Sequence, residues 1–239
     1  KRVTEPFKCC NPKFHPEDTV VQVGDVKIGG GNFCVMAGPC SVESEEQIVA
    51  VAKAVKASGA NMLRGGAFKP RTNPHSFQGL GEEALKIMKS AGDRYNLKTL
   101  TEVMDSAHCQ LVADYVDGLQ VGARNFQNFS LLKKIGEVTA DTHQMVLYKR
   151  GFAGTIAEWL AATDYITDHG NTNVVLCERG IRTFETATRF TLDIAAVPVI
   201  HKQSLYPVCI DVSHPAGQRD LVPSLAKAAV AAGADSLMI

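Results

Sequence analysis

Eight short apolar runs, amphipathic stretches between them at a spacing of roughly thirty residues, and glycines where helices should end predict an α/β protein built as a (β/α)8 TIM barrel. The candidate strands are 33–37, 61–63, 98–101, 118–121, 144–148, 173–177, 208–211 and 236–239. Such short, continuous apolar runs suit parallel strands covered by helices on their outer face. The stretches 45–57, 82–93, 107–115, 131–135, 156–167, 186–194 and 221–232 carry the helical period, as the apolar residues at 48, 49, 51, 52 and 55 of the first show. Gly59 and Gly233 stand at C-cap positions. A doubly wound open sheet is the alternative, but no GxGxxG follows the first strand. With 239 residues, 45% of them hydrophobic, the chain can bury one large core.

Residues 1–31 read differently from the barrel at 32–239. Pro6, Pro12 and Pro16 make an irregular lead-in, and VVQVGDVKIGGG then alternates, turns at Gly24-Asp25 and alternates again, the pattern of a β-hairpin. It is expected as a plug or edge ribbon. The eighth run ends the chain, so the eighth, C-terminal helix is expected to be missing after residue 239, truncating the barrel. Uncovered apolar surface there predicts a homo-oligomer, a dimer or tetramer.

Composition narrows function. Lys+Arg and Asp+Glu number 25 each, which speaks against nucleic acid or a membrane surface as partner, since both call for a global positive bias. No apolar segment is long enough to cross a bilayer, and the charged, Pro-containing start KRVTEPFK does not resemble a signal peptide, so a cytoplasmic protein is expected. Cys9, Cys10, Cys34, Cys40, Cys109, Cys177 and Cys209 are odd in number and lack CxxC pairing, which predicts reduced thiols.

Chemistry concentrates in RGGAFKPRT, residues 64–72. Arg64, Lys69 and Arg71 are fixed cations beside a Gly-Gly pair, Thr72 adds a hydroxyl, and Pro70 removes a donor while fixing the backbone. Guanidiniums hold carboxylate or phosphate bidentately, whereas the lysine is a point charge that can also donate a proton. A basic surface loop is the plain alternative; the apolar run before Arg64, a buried strand delivering it to its end, argues against that. In a barrel of this kind chemistry sits at the strands' C-terminal ends. At or just past the ends of the first seven runs stand Cys40, Arg64, Glu102, Arg124, Lys149, Arg179, Asp211 and His214. Cations so gathered must be offset by bound anions, and their number fits two phosphates and a carboxylate. Cys40 and His214, at the ends of the first and seventh strands, are candidate ligands of a divalent metal.

AGPCS, RGGAFKPRT with SFQGLG, TEVMD, QVGARNFQN, KRG, ERGIRTFETATR and DVSH, in this order over 20–239, resemble the 3-deoxy-D-arabino-heptulosonate 7-phosphate (DAHP) synthases of the type I beta class. The resemblance implies condensation of phosphoenolpyruvate with erythrose 4-phosphate, releasing phosphate, as the first step of the shikimate pathway to the aromatic amino acids. It implies that Arg64 and Lys69 hold the phosphoenolpyruvate carboxylate and that Arg124, Lys149 and Arg179 hold its phosphate. Arg71 and Thr72, with Pro70 shaping the loop, would take the erythrose phosphate. Cys40 and His214 match two of four metal ligands, the others, a Glu and an Asp, being expected beyond Ile239. Such a donor set suits Mn, Fe, Co, Zn or Cu better than Mg. Lys69 is the expected proton donor and Glu102 the group that orients water, with Asp211 orienting a lysine or histidine from behind. The 3-deoxy-octulosonate 8-phosphate synthases are the runner-up family, although the chain has the GAR that they lack. A Schiff-base aldolase using Lys149 and a non-catalytic anion-binding barrel are alternatives from other classes.

Overall fold

The computed structural model describes residues 17–71 and 73–239. Parallel strands β3 (Cys34–Ala37), β4 (Met62–Arg64), β5 (Lys98–Val103), β6 (Gly118–Val121), β7 (Met145–Lys149), β8 (Val174–Glu178), β9 (Val208–Asp211) and β10 (Ser236–Met238) pair in sequence order. β10 pairs with both β9 and β3, so the sheet closes into an eight-stranded barrel.

Side chains alternate along each strand and so divide into two apolar populations. Leu63, Leu119, Val146, Tyr148, Val174, Leu176, Val208 and Ile210 point outward into the layer shared with the helices. Met36, Met62, Leu100, Met145, Leu147, Val175, Cys177, Cys209 and Met238 point inward and fill the lumen. Each fully buried side chain of this size contributes about 1.5–3 kcal/mol over its exposed state. The hairpin, β1 (Val21–Val23) and β2 (Val26–Ile28), adds buried Val21, Val23 and Ile28 to the inner population. Its turn lies against Lys98 at the start of β5, and Gly29 against Pro207 just before β9. It therefore plugs the end of the barrel where strands begin. The lead-in and hairpin expected over 1–31 lie partly on residues 1–16, which are outside the described residues.

The outer helices begin where the chain offers caps. α1 (Glu45–Ala57) starts at Ser44, whose hydroxyl accepts from the Gln47 N–H, and α2 (Glu82–Tyr95) ends on Asn96 in the left-handed region. α5 (Ile156–Thr167) opens with a full capping box between Thr155 and Glu158. α3 (Cys109–Ala113) follows a 3-10 turn, and α4 (Phe129–Thr139) exceeds its predicted span at both ends. α6 (Ala196–Gln203), α7 (Ser213–Ala216) and α8 (Val222–Ala231) complete the set.

One expected helix is corrected. Residues 186–194 form a loop, closed by an Ile181–Thr191 bridge and by the Thr183 and Thr191 hydroxyls at 2.6 Å. The Glu185 carboxylate accepts from the N–H groups of Thr186 and Ala187, local bonds that help hold the loop conformation. The helix of this βα unit is α6, further along the chain.

Barrel closure brings backbones close where β3 leaves the sheet. Gly38 has φ +156°, and a Cβ there would overlap the Arg64 carbonyl oxygen. Gly38→Ala is expected to lower stability by about 2–3 kcal/mol in urea unfolding, because the obstacle is backbone; a loss under ~0.5 kcal/mol would contradict this reading.

Candidate active site

Strand parity explains which charges meet. The inward position above the apolar lumen is Arg64 on β4, Glu102 on β5, Gln120 on β6 and Lys149 on β7. Arg179 just past β8 and Asp211 on β9 continue the ring. Glu178, of opposite parity, turns outward to Arg150, which also meets Asp193.

These side chains enclose a cavity of about 370 Å³. It is lined by Cys40, Arg64, Lys69, Pro70, Arg71, Glu102, Arg124, Lys149, Arg179 and His214, ten of the residues singled out from sequence. Asp211 lies fully buried beside it, bonded to Lys149 and His214. Thr72 lies outside the described residues. Arg189, Gln120, Asn73, Ser76 and Phe152 also line the cavity, although the sequence reading gave them no role. Gln120 was available from parity alone, two residues before Gly122. Arg189 was hidden by the expected helix 186–194, whose outward face would have carried it into solvent.

Three local arrangements define the electrostatics. Asp211 accepts from Lys149 Nζ at 2.7 Å and contacts His214 Nδ1 at 2.5 Å through the same oxygen, Oδ2. Burial alone would raise the Asp211 pKa, but Lys149 first and then the contact with His214 hold it well below the usual carboxylate range. Lys149 shifts reciprocally: burial would lower it, yet Asp211 raises it overall, so the amine is protonated. At the rim, Lys69 Nζ lies 2.5 Å from the Cys40 carbonyl and 3.1 Å from its sulfur. A hydrogen bond from His214, followed by the charges of Lys69 and Arg64, overcomes burial and lowers the Cys40 thiol to about 5. Glu102 accepts from Gln120 at 3.2 Å above Gly122, where any Cβ would strike its carboxylate. Burial raises its pKa against the pull of Lys149, Lys69 and Arg124.

The buried Arg179 guanidinium packs 4.2 Å from the Phe190 ring centroid and 4.9 Å from that of Phe152, the rings being stacked on each other. Its Nη1 has no hydrogen-bond partner. Arg124 lies 5.8 Å from the Phe152 centroid. Among the described residues, neither arginine has a carboxylate within salt-bridge distance.

A thiolate at Cys40 and a His214 ring held by Asp211 through Nδ1 have the character of metal ligands, with the carboxylate–histidine support common at such centres. They fit a borderline-soft divalent ion as two members of a donor set. Among the described residues no group of three His, Cys, Asp or Glu side chains is arranged to hold one.

Fold and site together define the class, a (β/α)8 barrel with a polycationic mouth and a thiol–imidazole pair at its rim. The chain belongs to the DAHP synthetase I family, whose profile matches residues 14–239. It is 51% identical over 238 residues to a phospho-2-dehydro-3-deoxyheptonate aldolase of Thermotoga maritima, spanning 100% of this chain and 69% of that protein. A 2-dehydro-3-deoxyphosphooctonate aldolase of Caulobacter vibrioides is 31% identical over 258 residues, covering 95% of this chain and 85% of that one. The crystal structure of the Thermotoga maritima phospho-2-dehydro-3-deoxyheptonate aldolase (DAHP synthase) superposes with a TM-score of 0.94 at 51% identity, covering 100% of this chain and 68% of that one. A truncated form of 3-deoxy-D-arabino-heptulosonate 7-phosphate synthase from Thermotoga maritima gives 0.90 at 48% identity, with 98% and 84% covered. Among the described residues no helix is long and apolar enough to cross a membrane.

The Cys40 environment is testable without turnover. In metal-depleted protein, iodoacetamide should label Cys40 with a rate that rises around pH 5, as the thiolate forms. Buried Cys34 and Cys109, raised to about 12 and about 11 by burial, should stay unlabelled at pH 7. Peptide mapping showing Cys40 no faster than these two would refute the assigned environment.

Proposed function

We propose that this protein condenses phosphoenolpyruvate with erythrose 4-phosphate to form DAHP and inorganic phosphate, the opening step of the shikimate pathway. The observation carrying this reading is the buried Arg179 with Nη1 unpaired, facing one cavity with Arg64, Arg124 and Lys149. Among the described residues no carboxylate lies at salt-bridge distance from these guanidiniums, so a multiply charged substrate is the natural complement.

Phosphoenolpyruvate would lie deep, its carboxylate on Arg64 and Lys69 and its phosphate among Arg124, Lys149 and Arg179. Arg71, exposed at the rim beside Pro70, would receive the phosphate of the aldose, with the Thr72 hydroxyl as a further donor. A divalent metal held through Cys40 and His214 supplies, when bound, Lewis-acid polarisation of the aldehyde oxygen. Carbon 3 of phosphoenolpyruvate then attacks the carbonyl carbon. Lys69, with its ammonium at the Cys40 sulfur, is placed to deliver a proton to the new alkoxide. Glu102 orients the water that adds at carbon 2, and its raised pKa suits it to take up the proton released. Phosphate leaves from the resulting tetrahedral centre.

Two observations weigh on the alternatives. A Schiff-base nucleophile must shed its proton, whereas Asp211 keeps Lys149 charged. The octulosonate aldolases match at 30–33% identity against 51% for the heptonate enzyme.

With Mn²⁺ supplied, phosphoenolpyruvate and erythrose 4-phosphate should release phosphate and give the seven-carbon product by mass spectrometry. Lys69→Ala should cut the rate by about 10²–10⁴-fold with circular dichroism unchanged. Full activity in that variant, preference for arabinose 5-phosphate, or borohydride trapping of substrate on Lys149 would each count against the assignment.

A further inference from the structure

We propose that Arg189 is a second guanidinium of the deep phosphate site, closing on the same phosphoryl group as Arg179. This deepens the reading above and rests on it. Arg189 sits on the loop between β8 and α6, an exposed residue that lines the cavity. Its guanidinium lies 5.8 Å from the Phe190 centroid, the ring against which Arg179 packs at 4.2 Å.

The loop is built to hold that position. Its ends are tied by the Ile181–Thr191 bridge, and Gln218 donates to the Ala187 carbonyl. The Phe190 N–H donates to the Pro215 carbonyl at 3.0 Å, docking the loop on the segment that carries His214. Gly217, at φ +67°, makes room for it, since a Cβ there would lie 2.8 Å from the Arg189 Cβ. Acidic residues of the neighbourhood are engaged elsewhere. Glu178 and Asp193 bind Arg150 on the outer side, and Glu185 binds its own loop's backbone.

Two arginines are thus pressed onto one aromatic ring, and among the described residues neither has a carboxylate at salt-bridge distance. Burial lowers the Arg179 pKa, buried Asp211 pulls it back up, and the Arg189 charge pushes it down again, so the two guanidiniums repel each other across the shared ring. A phosphoryl dianion bridging both would convert that repulsion into attraction. Arg71, the rim cation, is tied to the Phe77 carbonyl on the loop after β4 and belongs to a different wall. The geometry therefore assigns Arg189 to the phosphate of phosphoenolpyruvate and not to that of the aldose.

The test compares Arg189→Gln, Arg189→Lys and Arg182→Gln in the metal-loaded protein, with calorimetry of phosphoenolpyruvate and of inorganic phosphate and a KM for erythrose 4-phosphate. Arg189→Gln should weaken phosphoenolpyruvate binding by about ten- to a hundred-fold, with the erythrose 4-phosphate KM moving less than about threefold. Arg189→Lys should recover part of the loss, because charge without the fork replaces part of the contact. Arg182, which lies 5.4 Å from the Phe152 centroid and does not line the cavity, should tolerate Gln within about twofold. Unchanged phosphoenolpyruvate binding in Arg189→Gln, or a change confined to the aldose KM, would overturn the assignment. If the native protein fails to bind phosphoenolpyruvate, the proposed function falls. Inorganic phosphate binding lost in Arg189→Gln would then still uphold the Arg189 site, and its persistence would sink that as well.

Discussion

Closure of eight parallel strands is the constraint from which the site follows. A closed ring leaves each strand one inward side, and alternation admits only every second residue to it. On β4, β5, β7 and β9 that sequence runs from Met62 to Arg64, Leu100 to Glu102, Leu147 to Lys149 and Cys209 to Asp211. One step along each strand exchanges an apolar lumen for an ionisable mouth. Charges distant in sequence become neighbours without any long loop to carry them, which suits groups that must keep their spacing.

Holding so many cations together needs more than placement. Asp211 offsets one of them, clasping Lys149 from one side, and holds the His214 ring from the other. It thereby sets the protonation of the amine and the orientation of the imidazole together. Arg179 is accommodated by the Phe152–Phe190 stack, whose faces accept a cation without neutralising it. Glu102 and Cys40 respond in opposite directions to the same field. Enclosure drives the carboxyl toward its protonated form, while contact with His214 and Lys69 drives the thiol toward thiolate.

Much of this was legible before any coordinates. Strand positions were readable to within about two residues because lumen and outer layer both demand apolar side chains, and that demand survives in the sequence as unbroken runs. The cations were readable because they stand immediately after those runs. The loop 181–191 was not. Ala187, Phe190 and Ile194 fall at helical spacing within 186–194, whereas Thr183, Glu185 and Thr191 spend their polar atoms on hydroxyl and backbone partners of their own loop. Arg189 disappeared with that error. That Asp211 would orient a lysine or histidine was expected, but not that the lysine is Lys149, 62 residues away. Which inward charges touch depends on the stagger of non-adjacent strands, and periodicity carries no record of it.

The hairpin at the far end bears on traffic. Among the described residues, Val21, Val23 and Ile28 pack against the lumen and stop the barrel at that end, so the cavity opens toward the other. A ligand resting on the innermost arginines would have to enter before anything lodged nearer the rim, and could not depart past an occupant still seated there. A sealed floor thus imposes a queue on its visitors, by shape alone and with no moving part.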